Sequence, residues 1–376
     1  MRLLYVTDAL INHGGMERVL IDKLNWLVEH ERFDICLLLT DHGDNPIVYP
    51  LSPEVECCDL GIMFHKIYRF SVWKRPLMLY RLHQRFRQRL SEIKQKFSPD
   101  IIVCVKLCFI SDVVKIQGNI PVVYESHNSF IANKLDNISL FQKIRMRFWY
   151  HTLKRVQMIV ALTQSDAKEW KKLNPHVQVV PNIAHLNPIG RLSDCHSKSV
   201  IFVGRYSYQK DIPSLMRIWA LVHQRHPDWE LHIFGGYGPL QIELQQELCQ
   251  MDSNVYMHQP TYSIFEEYIK NSILLLTSRY EPFGLVLPEA MSCGLPVVAF
   301  DCPYGPADII SDGVNGFLIS NRDINAYVEK VCLLMEDVNL RKRLGKAGTL
   351  SSHKYQASVI MPQWIQLFNE ISQKSK

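Results

Sequence analysis

Residues 1–40 read MRLLYVTDALINHGGMERVLIDKLNWLVEHERFDICLLLT. Two short apolar runs, Leu3–Asp8 and Phe33–Thr40, flank a stretch, Met16–Glu29, whose apolar residues recur at helical spacing. A strand, a helix and a second strand in this order predict a βαβ unit, with parallel strands and a right-handed crossover.

The rest of the chain continues this alternation. In the first half, strands are predicted at Ile101–Val105, Val122–Glu125, Ile159–Thr163 and Val177–Val180. In the second half they are predicted at Val200–Val203, Leu231–Phe234, Val255–Met257, Ile273–Ser278 and Val297–Phe300, with helices at Ile212–His226, Leu240–Met251 and Ile360–Ser372. The pattern predicts an α/β fold with two doubly wound, Rossmann-like domains that face each other across a cleft.

Length and composition agree with two domains. The chain has 376 residues, 47% of them apolar, and a domain usually takes roughly 100–200 residues. Pro181-Asn182 ends the first alternation, and Ile183–Ser197 is expected to be a linker. We therefore expect an N-terminal domain at 1–185, a C-terminal domain at 186–360, and a final helix at 361–376 that could pack back on the first domain.

Neither a membrane anchor nor a disulfide framework is predicted. The longest uncharged stretch, residues 173–190, contains three prolines and falls short of the ~18 apolar residues that a span needs. Asp8 interrupts any signal-peptide apolar region. The ten cysteines include no CxxC pair and lie mostly in apolar runs, so we expect reduced core residues in a cytoplasmic protein.

Positive charge is concentrated in the first half of the chain. Residues 1–190 hold 25 Lys and Arg against 18 Asp and Glu, whereas residues 191–376 hold 17 against 19. Phe64–Phe97, the basic stretch, has ten Lys or Arg against the single acid Glu92, interleaved with aromatic residues, and residues 143–155 add five more. This stretch is either a solvated helix face or a surface for an anionic membrane or a phosphate-bearing ligand. Nucleic acid is not favoured, because no nucleic-acid-binding motif is present.

The segment that carries most chemistry is residues 279–296, RYEPFGLVLPEAMSCGLP, between two predicted strands. Pro288 and Glu289 suit the first turn of a helix, and Gly294 suits its end. Glu281 and Glu289 could both face a ligand and accept hydrogen bonds from its hydroxyl groups. Between them, the N–H groups of residues 283–285 would lie near a helix N-terminus, where anions bind.

Glu281 and Glu289 form an E-x7-E pattern, and the chain resembles the family 4 retaining glycosyltransferases of the GT-B fold over nearly its whole length. Further motifs of that family occur in the expected order: Gly14-Gly15-Met16-Glu17, Pro181-Asn182, and Val203-Gly204-Arg205 followed by Lys210. Two positions depart from the pattern. Gly236 stands where the family has an acid, in the turn 235–239, and Asp211 replaces the glycine that often follows the lysine.

The resemblance implies that the N-terminal domain at 1–185 binds the acceptor and that the C-terminal domain at 186–360 binds the nucleotide sugar. It also implies a role for each matching residue. Lys210 and Arg205 would stabilise the departing diphosphate with the N–H groups of Phe283, Gly284 and Leu285, and Glu289 would bind the ribose. Glu281 would bind the sugar and support the oxocarbenium-like transition state, His127 would contact the transferred sugar, and Gly15 would let the donor approach the chain. The candidate catalytic residues are thus Glu281, His127, Lys210 and Arg205. No metal or other cofactor is expected, since the chain has no DxD motif.

The resemblance predicts transfer of a hexosyl unit from a nucleoside-diphosphate sugar, preferably a UDP-sugar, to a glycan acceptor with retention of configuration. The expected setting is cell-surface polysaccharide biosynthesis, with a lipid-linked acceptor and peripheral association at the inner face of an anionic membrane. The alternatives are a nucleotide-sugar epimerase, a phosphorylase-like enzyme on the same fold, or a non-catalytic membrane-associated scaffold.

Overall fold

The computed structural model describes residues 1–130, 140–236 and 254–374, in two units. The first unit comprises Met1–Ile183 and the chain from Ala357 onward, and the second comprises Ala184–Gln356. The predicted helix at Leu240–Met251 and residues 237–239 of the turn lie outside the described residues.

A seven-stranded parallel sheet forms the centre of the first unit, in the order β3-β2-β1-β4-β5-β6-β7. From β1 the chain adds β2 and β3 on one side and then β4 to β7 on the other side. This is the doubly wound arrangement predicted from the alternation. The strands are β1 (Arg2–Thr7), β2 (Asp34–Leu39), β3 (Glu56–Asp59), β4 (Ile101–Cys104), β5 (Val122–Glu125), β6 (Met158–Ala161) and β7 (Val177–Val179).

Helices cover this sheet and bury its apolar side chains. They are α1 (Gly15–Glu31), α2 (Arg75–Phe97), α3 (Ile110–Ile116), α4 (Leu140–Leu153) and α5 (Gln164–Trp170), with short 3₁₀ turns at Phe64–Arg69 and Leu107–Phe109. The last helix of the chain, α12 (Ala357–Lys374), also belongs to this unit. Its Trp364, Leu367 and Phe368 share one buried apolar cluster with Leu3 of β1 and Leu24 of α1.

The second unit has a six-stranded parallel sheet in the order β10-β9-β8-β11-β12-β13. Its strands are β8 (Ser199–Val203), β9 (Glu230–Phe234), β10 (Val255–His258), β11 (Ile273–Leu276), β12 (Val297–Phe300) and β13 (Gly316–Ile319). The chain again reverses direction across the sheet between β8 and β11. The predicted α/β, GT-B class with two Rossmann-like domains is confirmed in its two parallel-sheet domains.

The helices described in the second unit follow its strands. They are α6 (Ile212–Arg225), α7 (Ile264–Lys270), α8 (Val286–Ser292), α9 (Pro306–Ile309), α10 (Ile324–Glu336) and α11 (Val338–Ser352), with 3₁₀ turns at Ser320–Arg322 and His353–Tyr355. Helix α8 is the short helix expected within residues 279–296, and Gly294 beyond its end has a φ of 84°, as a helix stop requires.

The sequence analysis predicted neither disulfides nor a membrane-spanning helix. Nine cysteines lie in the described ranges, none in a disulfide, and six of the nine are buried. Within the same ranges, no helix combines the length and apolar character that crossing a membrane requires.

Candidate functional site

The second unit joins two predicted catalytic residues in an ion pair. Lys210 lies in the loop after β8 and Glu281 in the loop after β11, and these two strands are neighbours in the sheet. Lys210 Nζ donates to Glu281 Oε1 over 2.5 Å, and both side chains are largely buried. The pair therefore stands at the carboxyl edge of a parallel sheet, where ligands of such folds bind.

Glu281 is fixed from several sides. Ser278 Oγ donates to the same Oε1 at 2.6 Å, while the Glu281 N–H donates to the carbonyl of Pro303 and its carbonyl accepts from the Gly305 N–H. A Cβ atom at Gly305 would lie 2.1 Å from the carbonyl oxygen of Phe283, so only glycine fits there. One carboxylate oxygen is thus taken up by Lys210 and Ser278, and the hydrogen bonds to Pro303 and Gly305 fix the Glu281 backbone.

Two glycines bring the loops after β8 and β9 together beneath Lys210. The Gly204 N–H donates to the Phe234 carbonyl, and a Cβ atom at Gly235 would lie 2.0 Å from the Gly204 carbonyl oxygen. The aliphatic part of Lys210 packs on Gly204, where an added Cβ would lie 3.2 Å from its Cδ. The absence of a side chain at Gly235 therefore lets the two loops approach each other, and its absence at Gly204 leaves room for the aliphatic part of Lys210.

Arg205 extends into solvent on the same loop and forms no ion pair with the residues described. Its charge acts on Tyr280, directly before Glu281. Burial and the Glu281 carboxylate raise the pKa of Tyr280, and Arg205 opposes that rise. Arg205 is thus an exposed cation in the neighbourhood of Glu281, as the sequence predicts for a second cation of a diphosphate site.

The buried Asp211 anchors the base of this site. In the sequence, its departure from the usual glycine was the only sign of a special role. Asp211 adopts a left-handed φ of 52°, which explains why a glycine suits this position. Its carboxylate pairs with Arg279 at 2.8 Å and with Arg322. Sequence reasoning missed both arginines. Arg322 also donates to the carbonyls of Thr277 and Ser278, which ties the loop after β11 to the 3₁₀ turn at Ser320–Arg322.

The N–H groups of Phe283, Gly284 and Leu285 precede α8 and donate to no described residue. Gly284 supplies the left-handed turn with a φ of 91°. Glu289, in the first turn of α8, accepts a long hydrogen bond of 3.4 Å from the Tyr268 hydroxyl. The structure thus keeps the predicted donor-binding segment together in one loop and one helical turn.

In the first unit, the Gly14-Gly15-Met16-Glu17 loop leads into α1. Gly14 is the residue before the helix and Gly15 is its exposed first residue. The Glu17 carboxylate folds back over Gly14, where an added Cβ would lie 2.3 Å from Oε2. A side chain at position 14 would collide with this carboxylate, which explains the glycine there. The negative charge of Glu17 also interacts favourably with the dipole at the N-terminus of α1.

His127 lies two residues after β5, buried beside a carboxylate. Its Nε2 is 2.9 Å from Glu125 Oε1, and Lys23 of α1 forms an ion pair with the same oxygen. Burial alone would raise the pKa of Glu125, but Lys23 and His127 outweigh burial and lower it to about 2. Glu125 and Lys23 were not among the residues predicted from the sequence, although Glu125 stands two residues before His127.

One group of metal-type ligands occurs among the described residues. The side chains of Cys36, Glu56 and Cys58, on neighbouring strands β2 and β3, place one ligand atom each within 4.8 Å of the others. The group includes none of the residues predicted to bind the donor. Burial raises the pKa of the Cys36 and Cys58 thiols, which favours their protonated form.

The basic stretch Phe64–Phe97 contains both solvent-facing and internally bonded cations. Arg87 pairs with Asp112, Arg89 donates to the Leu60 carbonyl, and Lys94 donates to the Ile116 carbonyl, so these three serve the fold. Several aromatic and aliphatic side chains of the stretch are strongly exposed, with Trp73 at 94% and Tyr68 at 75%. The exposed cations near them along the chain are Arg69, Lys74, Arg81 and Arg85.

Two family models match the chain, and the boundary between them falls close to the boundary between the two structural units. Residues 13–187 match the family model described as Glycosyltransferase Family 4, and residues 192–351 match the one described as Glycosyl transferases group 1. A curated relative, the amylovoran biosynthesis glycosyltransferase AmsD of Erwinia amylovora, is 25% identical over 98% of this chain and 99% of its own length.

Solved structures share the fold at low sequence identity. TarM of S. aureus, in a complex with UDP and α-GlcNAc-glycerol among its ligands, has a TM-score of 0.78 at 17% identity, over 98% of this chain and 99% of that one. HepE of Anabaena, in complex with UDP and glucose, has a TM-score of 0.77 at 19% identity, over 98% and 99%.

Proposed function

The chain belongs to the glycosyltransferases, with a Family 4 domain followed by a group 1 domain, and we propose that it transfers a hexosyl unit from a UDP-sugar to a glycan with retention of configuration. Its similarity to a glycosyltransferase of amylovoran biosynthesis places it among the glycosyltransferases of polysaccharide and glycan biosynthesis. The donor, the stereochemistry and the acceptor are the parts that we propose.

The observation that carries this proposal is the Lys210–Glu281 pair at the carboxyl edge of the second sheet. A cation and an anion held 2.5 Å apart can meet the two charges that develop during glycosyl transfer. The departing diphosphate gains negative charge, and the anomeric carbon gains positive charge. A site that offers both signs in fixed positions stabilises the transition state without a covalent nucleophile.

We assign each charge to one partner. Lys210, with the exposed Arg205 and the N–H groups of residues 283–285, binds the diphosphate. Glu281 binds the sugar hydroxyls through the carboxylate oxygen not taken up by Lys210 and Ser278, and Glu289 binds the ribose. His127 contacts the transferred sugar. The acceptor hydroxyl attacks the anomeric carbon on the face that the diphosphate leaves, and the leaving phosphate oxygen takes its proton.

UDP is the preferred carrier because the solved neighbours TarM and HepE were each obtained with UDP. We propose that this chain uses no metal ion, since Arg205, Lys210 and the backbone N–H groups supply positive charge at the diphosphate. The acceptor is proposed to be lipid-linked, because the basic stretch exposes aromatic side chains between cations, the combination that binds anionic membrane surfaces.

A panel of nucleotide sugars, incubated with the full chain and no acceptor, tests the reaction class. We expect slow hydrolysis of one UDP-hexose to UDP and free hexose, unchanged by excess EDTA, with the anomer of the donor retained when followed by NMR. Conversion of the donor to an isomeric nucleotide sugar would identify an epimerase instead. Absence of binding and turnover for every donor would overturn the proposal.

A further inference from the structure

Two oppositely charged side chains are enclosed in the core of the first unit. Lys23 of α1 and Glu125 of β5 are each 1% exposed and form an ion pair. The Lys23 ammonium also lies 4.1 Å from the ring centroid of Trp364 and 5.1 Å from that of Tyr5. Elements α1, β1, β5 and α12 thus all face this pair, and Lys23, Glu125, His127 and Tyr5 are the titratable groups described there.

A buried ion pair of this kind adds little net stability to a fold. Removing two charges from water carries a desolvation penalty that their attraction often fails to recover, and a well-packed apolar pair can serve the core equally well. Glu125 Oε2 and the Tyr5 hydroxyl are also buried without a hydrogen-bond partner among the described residues. The fold therefore keeps an ionised carboxylate in its core, which calls for a role beyond packing.

His127 is the group on which this carboxylate can act. Glu125 remains ionised at neutral pH, because its pKa is about 2, and an ionised carboxylate can only accept hydrogen bonds. His127 Nε2 lies 2.9 Å from Glu125 Oε1, although the two atoms are not aligned for a regular hydrogen bond. At that distance the carboxylate repels a lone pair on Nε2 and attracts a hydrogen there, so Nε2 carries the hydrogen of the neutral ring. Nε2 is fully enclosed, while the His127 residue as a whole keeps 9% of its surface exposed.

We propose that Glu125 is a positioning residue that holds His127 as its Nε2–H tautomer, and that Lys23 keeps Glu125 charged for this purpose. Nδ1 is then the acceptor nitrogen of the neutral ring and receives a hydrogen bond from a hydroxyl of the transferred sugar. The part played by the sugar rests on the proposed function. The tautomer assignment stands on the geometry of Lys23, Glu125 and His127 alone.

Nitrogen-15 NMR of histidine-labelled protein tests the tautomer without any substrate. The His127 signals are assigned by their loss in His127→Ala, and wild-type protein should show the Nε2–H form whenever the ring is neutral. Glu125→Gln should give a mixture of tautomers, because the amide can donate to Nε2 as well as accept from it. Asp166→Asn removes another buried carboxylate of the same unit and should leave the His127 signals unchanged.

A double-mutant cycle then tests the link to activity. Glu125→Gln should lower kcat of donor turnover about 10-fold with the donor KM nearly unchanged, as loss of an orienting group does. In a His127→Ala background, the same substitution should cost less than about twofold, since Glu125 would have no ring left to orient. Lys23→Met combined with Glu125→Gln keeps a neutral pair of similar size and should behave like Glu125→Gln.

Three results would overturn the proposal. These are an unchanged His127 tautomer in Glu125→Gln, additive effects in the cycle, and loss of folding in both Glu125→Gln and the double variant, which would show that the pair serves stability. Failure of the proposed function is a separate outcome. In that case wild-type protein turns over no nucleotide sugar, and the tautomer measurement still decides whether Glu125 positions His127.

Discussion

At the scale of single residues, the second unit stabilises a carboxylate and an ammonium at the same point. Removing Lys210 would leave Glu281 buried with only Ser278 as a side-chain donor, and removing Glu281 would leave Lys210 without its counter-charge. Loss of either group therefore changes both the charge of the site and the position of the partner. The two substitutions should act as one unit and should not be additive.

We predict that Lys210→Ala and Glu281→Ala each lower kcat/KM by about 10²-fold or more, because each removes a preorganised charge that acts in the transition state. Glu289→Ala should act mainly through a higher KM for the donor. The matched control is Lys198→Ala, which breaks the exposed pair with Asp228 in the same unit and should leave kcat/KM within about twofold. Wild-type turnover in Lys210→Ala would contradict the diphosphate assignment.

The buried Asp166 has a consequence for stability. It accepts hydrogen bonds from the Phe130 N–H at 2.9 Å and from Trp170 Nε1 at 2.8 Å, yet burial dominates and raises its pKa to about 6. The pKa in the folded state is above the value of 3.8 for an unperturbed Asp, so the folded chain binds more protons between these two pH values. This residue therefore adds stability as the pH falls below about 6.

We predict that wild-type protein gains about 1 kcal/mol of unfolding free energy relative to Asp166→Asn when the pH is lowered from 7 to 5. Urea unfolding of both proteins at the two pH values measures this difference. Titrating groups shared by the two proteins cancel in the comparison. A constant difference between the proteins from pH 7 to pH 5 would contradict the raised pKa.

The residues of the site were only partly predictable. Lys210, Glu281 and Glu289 follow from motif spacing, and their elements place them as expected. Asp211 and Arg322 are 111 positions apart in the chain, and only the folded sheet brings them together. Their pairing could not be derived from spacing, because a long-range ion pair leaves no periodic pattern in a single sequence.

At the scale of elements, apolar runs predicted most strands, whereas two short strands at the edges of the sheets were missed. Strands β5 and β12 begin and end at the predicted residues, because each is buried on both faces and is apolar apart from Glu125 at the end of β5. Strand β3 was missed, since its sequence Glu-Cys-Cys-Asp is polar and lies at the sheet edge, where backbone pairing with β2 suffices. Strand β13 is only four residues long, begins with Gly316 and was missed as well.

Helix α2 shows how one element can serve both packing and surface binding. Phe86 and Leu90 are buried, while Leu77 and Tyr80 are exposed on the same helix and Trp73 lies just before it. Leu77 and Tyr80 are three residues apart, so they share one face of the helix, and the exposed Trp73 stands in the turn that leads into it. An apolar face among cations suits the surface of an anionic membrane.

We predict that the protein sediments with anionic vesicles at low salt and is released at 1 M salt, where the Debye length falls from ~10 Å at 0.1 M to ~3 Å. Reversing Lys74, Arg81 and Arg85 to Glu should weaken binding about 10²-fold, at about 1 kcal/mol for each cation. The control reverses three exposed lysines around α5, Lys168, Lys171 and Lys172, for the same change in net charge. Equal loss of binding in both variants would show that net charge, rather than this helix, drives adsorption.

At the scale of the whole molecule, the chain begins and ends in the same unit. The first unit closes its core only when α12 returns to it, because Leu367 and Phe368 are fully buried in the cluster that contains Leu3 and Leu24. The sequence shows the apolar stripe of this helix, and we expected that it could pack back on the first domain. The stripe alone does not identify the sheet that it covers, since either sheet offers an apolar surface. The second unit, in contrast, is continuous from Ala184 to Gln356.

We predict that Phe368→Ala destabilises the first unit by about 3–5 kcal/mol, the usual cost of removing a buried aromatic ring and leaving a cavity. Hydrogen–deuterium exchange should then quicken in β1, β4 and α1, while β8, β9 and β11 of the second unit keep their protection. Val359→Ala, at a position 44% exposed on the same helix, is the control and should leave both units unchanged. Equal quickening in both sheets would show that the two units unfold as one cooperative body, so that the last helix stabilises the whole chain rather than the unit it packs against.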